Sequence, residues 1–165
     1  MLRGSSYTGG GGGGIGLPAS GVLKQSAVPA SVTGTVSETT LATIAVPAGA
    51  MGLNGAIQII SRWTFNNTAN NKTLRVKFAG TDFLGYSATN SATGEILTII
   101  QNRGVANSQI GDRLAVSGAL GTTTANWVTS AIDTTVSQNI TLTATLANTG
   151  ETITLESYQV QILNP

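Results

Sequence analysis

The sequence predicts an all-β protein, an antiparallel β-sandwich or jelly roll of about eight or nine strands that follows an extended glycine-rich N-terminal arm. Apolar side chains alternate with Thr, Ser or Gln through most segments after residue 30, which is the period of a half-buried strand. Turn residues, mainly Gly, Asn and Pro, interrupt these segments. No window longer than two turns carries the i, i+3, i+4, i+7 apolar pattern of a helix without Thr, Val, Gly or Asn running through it.

The first half of the domain is predicted to contain strands at 31–36, 39–46, 56–65 and 72–80. The third of them is rich in β-branched and aromatic residues, and its alternation puts four large side chains on one face: Ile57, Ile59, Trp63 and Phe65. The Asn-rich stretch 66–71 has the length of a hairpin loop. The third and fourth strands are therefore predicted to form a hairpin.

The second half is predicted to contain strands at 81–86, 94–101, 109–116, 125–132, 139–146 and 152–163. The last two alternate clearly, with Ile140, Leu142 and Leu146 among threonines in the first and Ile153 and Leu155 among threonines at the start of the second. A turn with the sequence Asn148-Thr-Gly150 joins them. They are predicted to form a C-terminal hairpin.

The basic residues Lys72, Arg75 and Lys77 lie along one predicted strand, and we expect all three on one solvated face of the sheet. Phosphate binding is the alternative use for such a cluster. The net charge of +1 creates no field that would steer a polyanion, so nucleic acid is not an expected partner.

The chain length of 165 residues suits one domain, which we place at 31–165, with an arm at 1–30. Six consecutive glycines occupy 9–14, and such a run forms no regular element. Yet the arm also carries spaced apolar, aromatic and basic residues. We predict that it orders in a groove of a partner, and that the residues that bind are Leu2, Arg3, Tyr7, Ile15 and Leu17. The alternative is a plain tether.

Only 9% of the residues are charged, while 41% are hydrophobic. A surface of uncharged polar groups costs little to desolvate, which favours packing against copies of the same chain. There is no apolar run long enough to span a membrane and no secretory signal pattern. We therefore expect synthesis in the cytoplasm and no membrane insertion.

The chain contains neither histidine nor cysteine. This excludes Ser-His-Asp and Cys-His hydrolysis and the commonest metal sites. A Ser-Lys dyad would need a buried lysine, and none of Lys24, Lys72 and Lys77 is predicted to be buried. The seven carboxylates are scattered singly among turns and strand ends. We predict that the protein is not an enzyme and binds no cofactor or metal.

The aromatic residues leave one binding alternative open. Trp63, Trp127, Tyr86 and Tyr158 could form a flat surface for stacking sugar rings, or both tryptophans could belong to the core.

Several segments resemble the β-sandwich proteins of tailed-phage particles that are known as head-fibre, decoration or tail-fibre proteins. They are a PAG turn at 47–49, the paired-Asn stretch followed by KTLRVKFAG, the NRGVANSQ loop at 102–109, and the closing segment GETITLE at 150–156. The resemblance implies a jelly-roll-like domain, self-association as a homotrimer, attachment through the N-terminus and a location on the virion surface. It supplies no functional residues.

The expected function is that of a virion structural protein, a capsid decoration or head-fibre protein that its arm anchors to capsid or other virion proteins. The arm is short for a tail fibre, which favours the capsid surface. The alternative is the receptor-binding tip of a tail fibre, in which loops 87–93 or 104–108 contact a host surface glycan or protein. A small polysaccharide depolymerase is a third reading, because carboxylates from distant strands can be brought together.

Overall fold

A computed structural model describes residues 20–112 and 127–165, and it confirms the all-β class. The described residues form eleven strands and no helix. The strands are β1 (Gly21–Ser26), β2 (Ala30–Thr33), β3 (Thr39–Val46), β4 (Ala56–Phe65), β5 (Lys72–Phe78), β6 (Thr81–Ala88), β7 (Thr93–Asn102), β8 (Gln109–Asp112), β9 (Trp127–Ser130), β10 (Gln138–Leu146) and β11 (Thr152–Leu163).

The strands form two antiparallel sheets. Sheet A has the order β1-β11-β4-β7-β8-β9, and β2 also pairs with β11. Sheet B has the order β3-β10-β5-β6. The inward side chains of both sheets share one hydrophobic core, as in a β-sandwich.

Two predicted hairpins are wrong. β4 lies in sheet A and β5 in sheet B, and β10 and β11 are divided between the sheets in the same way. Loops 66–71 and 147–151 therefore cross from one sheet to the other. Loop length and alternation do not distinguish such a crossing from a hairpin, because both arrangements bury one face of each strand. Consecutive strands do pair as hairpins at β5–β6 and β7–β8.

The sandwich begins earlier in the chain than predicted, which adds one strand, β1, to the predicted segments. β1 lies within residues 21–30, which the sequence analysis assigned to the arm, and it pairs with the C-terminal half of β11. β2 pairs with the N-terminal half of the same strand. Pro29, which has no N–H to donate, lies between β1 and β2. The exposed side chains of β1 gave no alternating pattern to detect.

The burial of four side chains confirms the prediction of which face of β4 points into the core. Ile57, Ile59, Trp63 and Phe65 are all buried between the sheets. Trp63 donates its indole N–H to the hydroxyl of Ser61 (2.9 Å), so its polar atom is satisfied inside the core.

Candidate interaction surface

Lys72 is buried, with an exposed fraction of 0%, so the prediction that it lies on a solvated face with Arg75 and Lys77 is wrong. It occupies an even-numbered position, as Leu74 and Val76 do, and its side chain therefore points to the inner side of β5. Only the two odd-numbered basic residues lie on the outer face. The expectation that none of the lysines is buried is also wrong.

The Lys72 ammonium is surrounded by acceptors from two loops. Its Nζ donates to the carbonyl oxygens of Thr68 (3.2 Å) and Asn70 (2.8 Å) and to the Thr68 hydroxyl (2.9 Å). It also lies 3.3 Å from Oε2 of Glu151, which belongs to the crossing between β10 and β11. We call this group of Thr68, Asn70, Lys72 and Glu151 the Lys72–Glu151 clasp.

Glu151 is held as a carboxylate. The Asn70 amide donates to one carboxylate oxygen and the Thr68 hydroxyl to the other, each at 2.7 Å. These two bonds, together with the Lys72 ammonium, lower the pKa of Glu151 to about 2. Every polar group of the clasp has a partner, so the clasp joins the two loops that cross between the sheets.

The outer face of sheet B is charged. Lys77 bonds Glu38 (2.7 Å) and lies 3.6 Å from Asp82, whose other oxygen is 3.3 Å from Arg75. The hydrogen bond between Lys77 and Glu38 raises the pKa of Lys77 and lowers the pKa of Glu38. These two basic residues are therefore neutralised by carboxylates on a partly solvated surface, an arrangement that offers no free cation for phosphate.

The outer face of sheet A is apolar where β4, β7, β8 and β9 lie side by side. Trp127 is 65% exposed, Leu97 47% and Ile99 37%, and Ile60 and Ile110 are half-buried beside them. We call these five residues the apolar face. Exposed apolar side chains that cluster in this way are typical of an interaction site, whereas isolated ones are common on any surface.

Strand register explains why these side chains meet. Leu97 is paired with Ile60 across β7 and β4, and Ile110 is paired with Thr129 across β8 and β9. A shallow hollow of about 250 Å³ lies on this face, lined by Ile99, Gln101, Ile110, Gly111 and Trp127. Gly111 lines the bottom of the hollow, and a Cβ at this position would lie 2.6 Å from the Phe83 ring beneath it.

The aromatic residues divide between core and surface. Trp63 is buried, as the core interpretation predicts, but Trp127 is not, and it projects from the outer face of β9. Tyr158 packs partly against the core and lines a second, open hollow of about 430 Å³ where β1 ends. The four aromatics do not form one stacking surface, since Trp63 is inside the sandwich.

The loops proposed for receptor contact are well tied to the domain. In loop 103–108, Arg103 N–H donates to Ser108 C=O, and Gly104 N–H donates to Leu53 C=O. The carbonyl of Ala106 accepts the Thr134 hydroxyl at 2.7 Å. Loop 89–92 is anchored through Asn90 N–H to the Thr68 carbonyl at 2.7 Å.

Each carboxylate whose side chain is described has a partner, and Glu38 and Asp82 share Lys77. The partners are Lys77 for Glu38, Arg75 for Asp82, Arg62 for Glu95, Thr135 for Asp133, Lys72 for Glu151 and Thr64 for Glu156. Among residues 20–112 and 127–165, no three His, Cys, Asp or Glu side chains form a group that could hold a metal ion. Nor does this part of the chain contain a helix that could cross a membrane.

No protein-family model, curated protein or solved structure matches this chain. The arm residues predicted to bind a partner, Leu2, Arg3, Tyr7, Ile15 and Leu17, lie outside the described residues. The structure instead brings forward the apolar face, which the sequence analysis did not identify. In the sequence, the one indication of this face was Trp127, an aromatic residue in a short predicted strand.

Proposed function

We propose that this protein is a structural component of a tailed-phage virion, a capsid decoration or head-fibre protein whose sandwich domain assembles with copies of itself. The apolar face carries this proposal. The outer surface of sheet A combines apolar side chains and uncharged amides with one ion pair, Arg62–Glu95, while the opposite surface bears the ion pairs of Arg75 and Lys77. Such a division suits a domain that is covered on one side and exposed to solvent on the other.

The origin of the arm supports attachment through the N-terminus. Ser20 begins the described chain at the edge of sheet A, where its hydroxyl donates to the Asn164 carbonyl (2.9 Å) and accepts the Asn164 N–H (2.7 Å). The next residue, Gly21, is paired with Ile162 in β11. A force on residues 1–19 would therefore be transmitted directly to the sheet. Several arms on one oligomer would combine weak contacts through their effective concentration.

Electron microscopy of the source phage with a gold-labelled antibody against the domain tests the location. We expect gold on the capsid shell. Gold confined to the tail would contradict the decoration role.

The role of the arm requires two variants. Deletion of residues 1–18 retains Ser20 and should abolish attachment while leaving the thermal melting of the domain unchanged. A second variant keeps the length of the arm but replaces Leu2, Tyr7, Ile15 and Leu17 by serine. Loss of attachment in this variant identifies docking side chains, whereas full attachment would mean that the arm is only a tether.

One observation favours the alternative, a receptor-binding tip of a tail fibre. Trp127 presents most of its indole beside an open hollow, and an exposed aromatic ring is a common platform for a sugar. The isolated domain would then bind host cells, and Trp127→Ala would remove that binding. Absence of binding to host cells by the intact protein would eliminate this alternative.

A further inference from the structure

We propose that copies of this chain join by exchanging β1, which leaves β11 of its own domain and pairs with β11 of a second copy. The inference deepens the proposed function and rests on its claim of self-assembly, because it names the segment that links the copies. The occupant of the opened edge of β11 is therefore β1 from another molecule. Reciprocal exchange closes a dimer, and cyclic exchange closes a larger ring.

β1 is held to its own domain mainly by its backbone. Four of its six residues are exposed. Leu23 is the apolar side chain of this strand that packs against the core, and it is only half-buried. β2 pairs with the same edge of β11 but buries Val32 in the core, with 4% of it exposed. A strand with few buried contacts and a solvent-exposed backbone opens at a lower free energy than the rest of the domain. β1 can therefore leave while β2 stays paired.

The segment between β1 and β2 has the features of a hinge. Residues 27–29 are all exposed, and Val28 has an exposed fraction of 78%. Pro29 has no N–H to donate to a neighbouring strand. Residues 156–157 of β11 pair with neither β1 nor β2, and the open hollow of about 430 Å³ lies at this break. A change of direction at 27–29 therefore leaves the pairing of β2 intact.

The contacts that β1 makes identify the strand that fits the opened edge. Residues 158–162 of β11 supply the backbone groups of the ladder. The side-chain amide of Gln159 donates to Gln25 (3.3 Å), and the hydroxyl of Ser20 makes two bonds with the backbone of Asn164 (2.9 and 2.7 Å). β1 from a second copy reproduces every one of these contacts. A strand of unrelated sequence does not, which favours a second copy of this chain as the partner.

Concentration decides between pairing within one chain and pairing between chains. Both arrangements make the same contacts, so they differ in the effective concentration of β1 beside β11. The short hinge keeps β1 at an effective concentration on the order of millimolar beside its own β11. Exchange is therefore favoured where many copies are held close together, as they are on the surface of a particle.

Disulfide trapping tests the exchange directly, because the chain contains no cysteine. Gln25 and Gln159 are register partners whose side chains touch, so a pair of cysteines at these positions has the separation that a disulfide requires. The full-length single variants Gln25→Cys and Gln159→Cys are mixed at about 1 mM in a glutathione redox buffer. Peptide mapping then measures the disulfides that join position 25 of one chain to position 159 of another.

The matched control mixes Gln25→Cys with Thr43→Cys. Thr43 is exposed on β3, in the other sheet, and is not a neighbour of β1. Disulfides between these two positions report only random collisions of exposed thiols. We expect the register pair to give at least about tenfold more interchain disulfide than the control pair, because strand pairing holds its two thiols together.

A second experiment tests whether the exchange builds the oligomer. The double variant Gln25→Cys/Gln159→Cys is oxidised at about 1 μM, so that the disulfide ties β1 to its own β11. Sedimentation velocity at high concentration compares this protein with the same protein in dithiothreitol, which is a control of identical sequence. The oxidised protein should remain monomeric and the reduced protein should assemble. A reduced protein that stays monomeric, an oxidised protein that assembles equally well, or a register pair that forms no more disulfide than the control pair overturns the inference.

Failure of this inference is distinct from failure of the proposed function. If gold labels the capsid shell but the disulfide that ties β1 to its own β11 does not prevent assembly, the copies join through another surface. The inference is then wrong while the virion role stands. If β1 is exchanged but gold labelling finds no protein on the particle, the inference stands and the proposed function is wrong.

Discussion

Replacing Lys72 by methionine tests whether the Lys72–Glu151 clasp stabilises the fold. Methionine preserves most of the aliphatic stem, which is packed at the start of β5, and removes the ammonium. The substitution removes the Lys72 donor from the carbonyl oxygens of Thr68 and Asn70 and from one oxygen of Glu151. The Thr68 carbonyl still accepts the Asn90 N–H, and that Glu151 oxygen still accepts the Thr68 hydroxyl. These acceptors lie in the loops that cross between the sheets, where Glu151 is buried and Asn70 is exposed.

The expected loss follows from the burial of the ammonium. Removal of one partner from a buried ion pair costs about 3–5 kcal/mol, because the other partner remains in the protein without compensation. For a domain of this size, 1 kcal/mol corresponds to about 2–4 °C in Tm. Lys72→Met is therefore expected to lower Tm by roughly 6–20 °C.

Urea denaturation at pH 7, followed by circular dichroism, measures the free energy of unfolding of Lys72→Met against wild type. Lys24→Met is the matched control, since Lys24 is exposed on β1 and its replacement should change stability by less than about 0.5 kcal/mol. If the two methionine variants are equally stable, the buried ammonium contributes nothing net and the reasoning about the clasp is refuted.

Three further predictions concern particular residues. The pKa of Glu151 is lowered from 4.5 to about 2 in the folded protein, so its carboxylate stabilises the fold above pH 4.5 and this contribution is lost as the pH falls toward 2; urea midpoints measured across that range should fall less steeply for Glu151→Gln, and parallel curves would contradict the assignment. Gly111→Ala should destabilise the domain by about 1–3 kcal/mol, because the new Cβ would lie 2.6 Å from the Phe83 ring and 2.8 Å from the Ile99 carbonyl oxygen, whereas a Cβ at Gly85 has no neighbour within 4 Å and Gly85→Ala should not; equal urea midpoints for the two variants would contradict this prediction. Ala79 has a φ of 46°, so Ala79→Asn should raise stability by up to about 1 kcal/mol, and a lowered Tm would argue against strain in this turn.

The strands of this protein could be predicted from its sequence because nearly all of them have one buried face. In β4, alternation alone identified the inward side chains, including Trp63. The same rule would have placed Lys72 inside, since it shares its parity with Leu74 and Val76, but its charge suggested a solvated position. A buried lysine is stable only when acceptors surround it. Here they come from Thr68 and Asn70, which are close in sequence, and from Glu151, about 80 residues away.

The pairing of strands and the exposed surface could not be predicted in the same way. Whether a loop turns back in one sheet or crosses to the other depends on the packing of the whole sandwich, which local sequence does not encode. The apolar face was missed for a related reason. Leu97 and Ile99 alternate with buried residues on β7, and only the assembled sheet shows that nothing from the described chain covers them. Trp127 lies on the outer face of β9, the last strand of sheet A in the described part of the chain.

The pairing of β1 with β11 has a consequence for how the chain reaches its folded state. Ser20 and Asn164, which bond each other beside this pair, are 144 positions apart, and β11 is also the neighbour of β2 and β4 in sheet A. Because β1, β2 and β4 are synthesised before β11, their pairing with β11 must wait until the end of the chain has been made. The loop that closes is long, and such distant pairings slow folding. Until β11 is available, the edges of β1, β2 and β4 that pair with it stay open, and strands of different chains can pair wrongly during this interval.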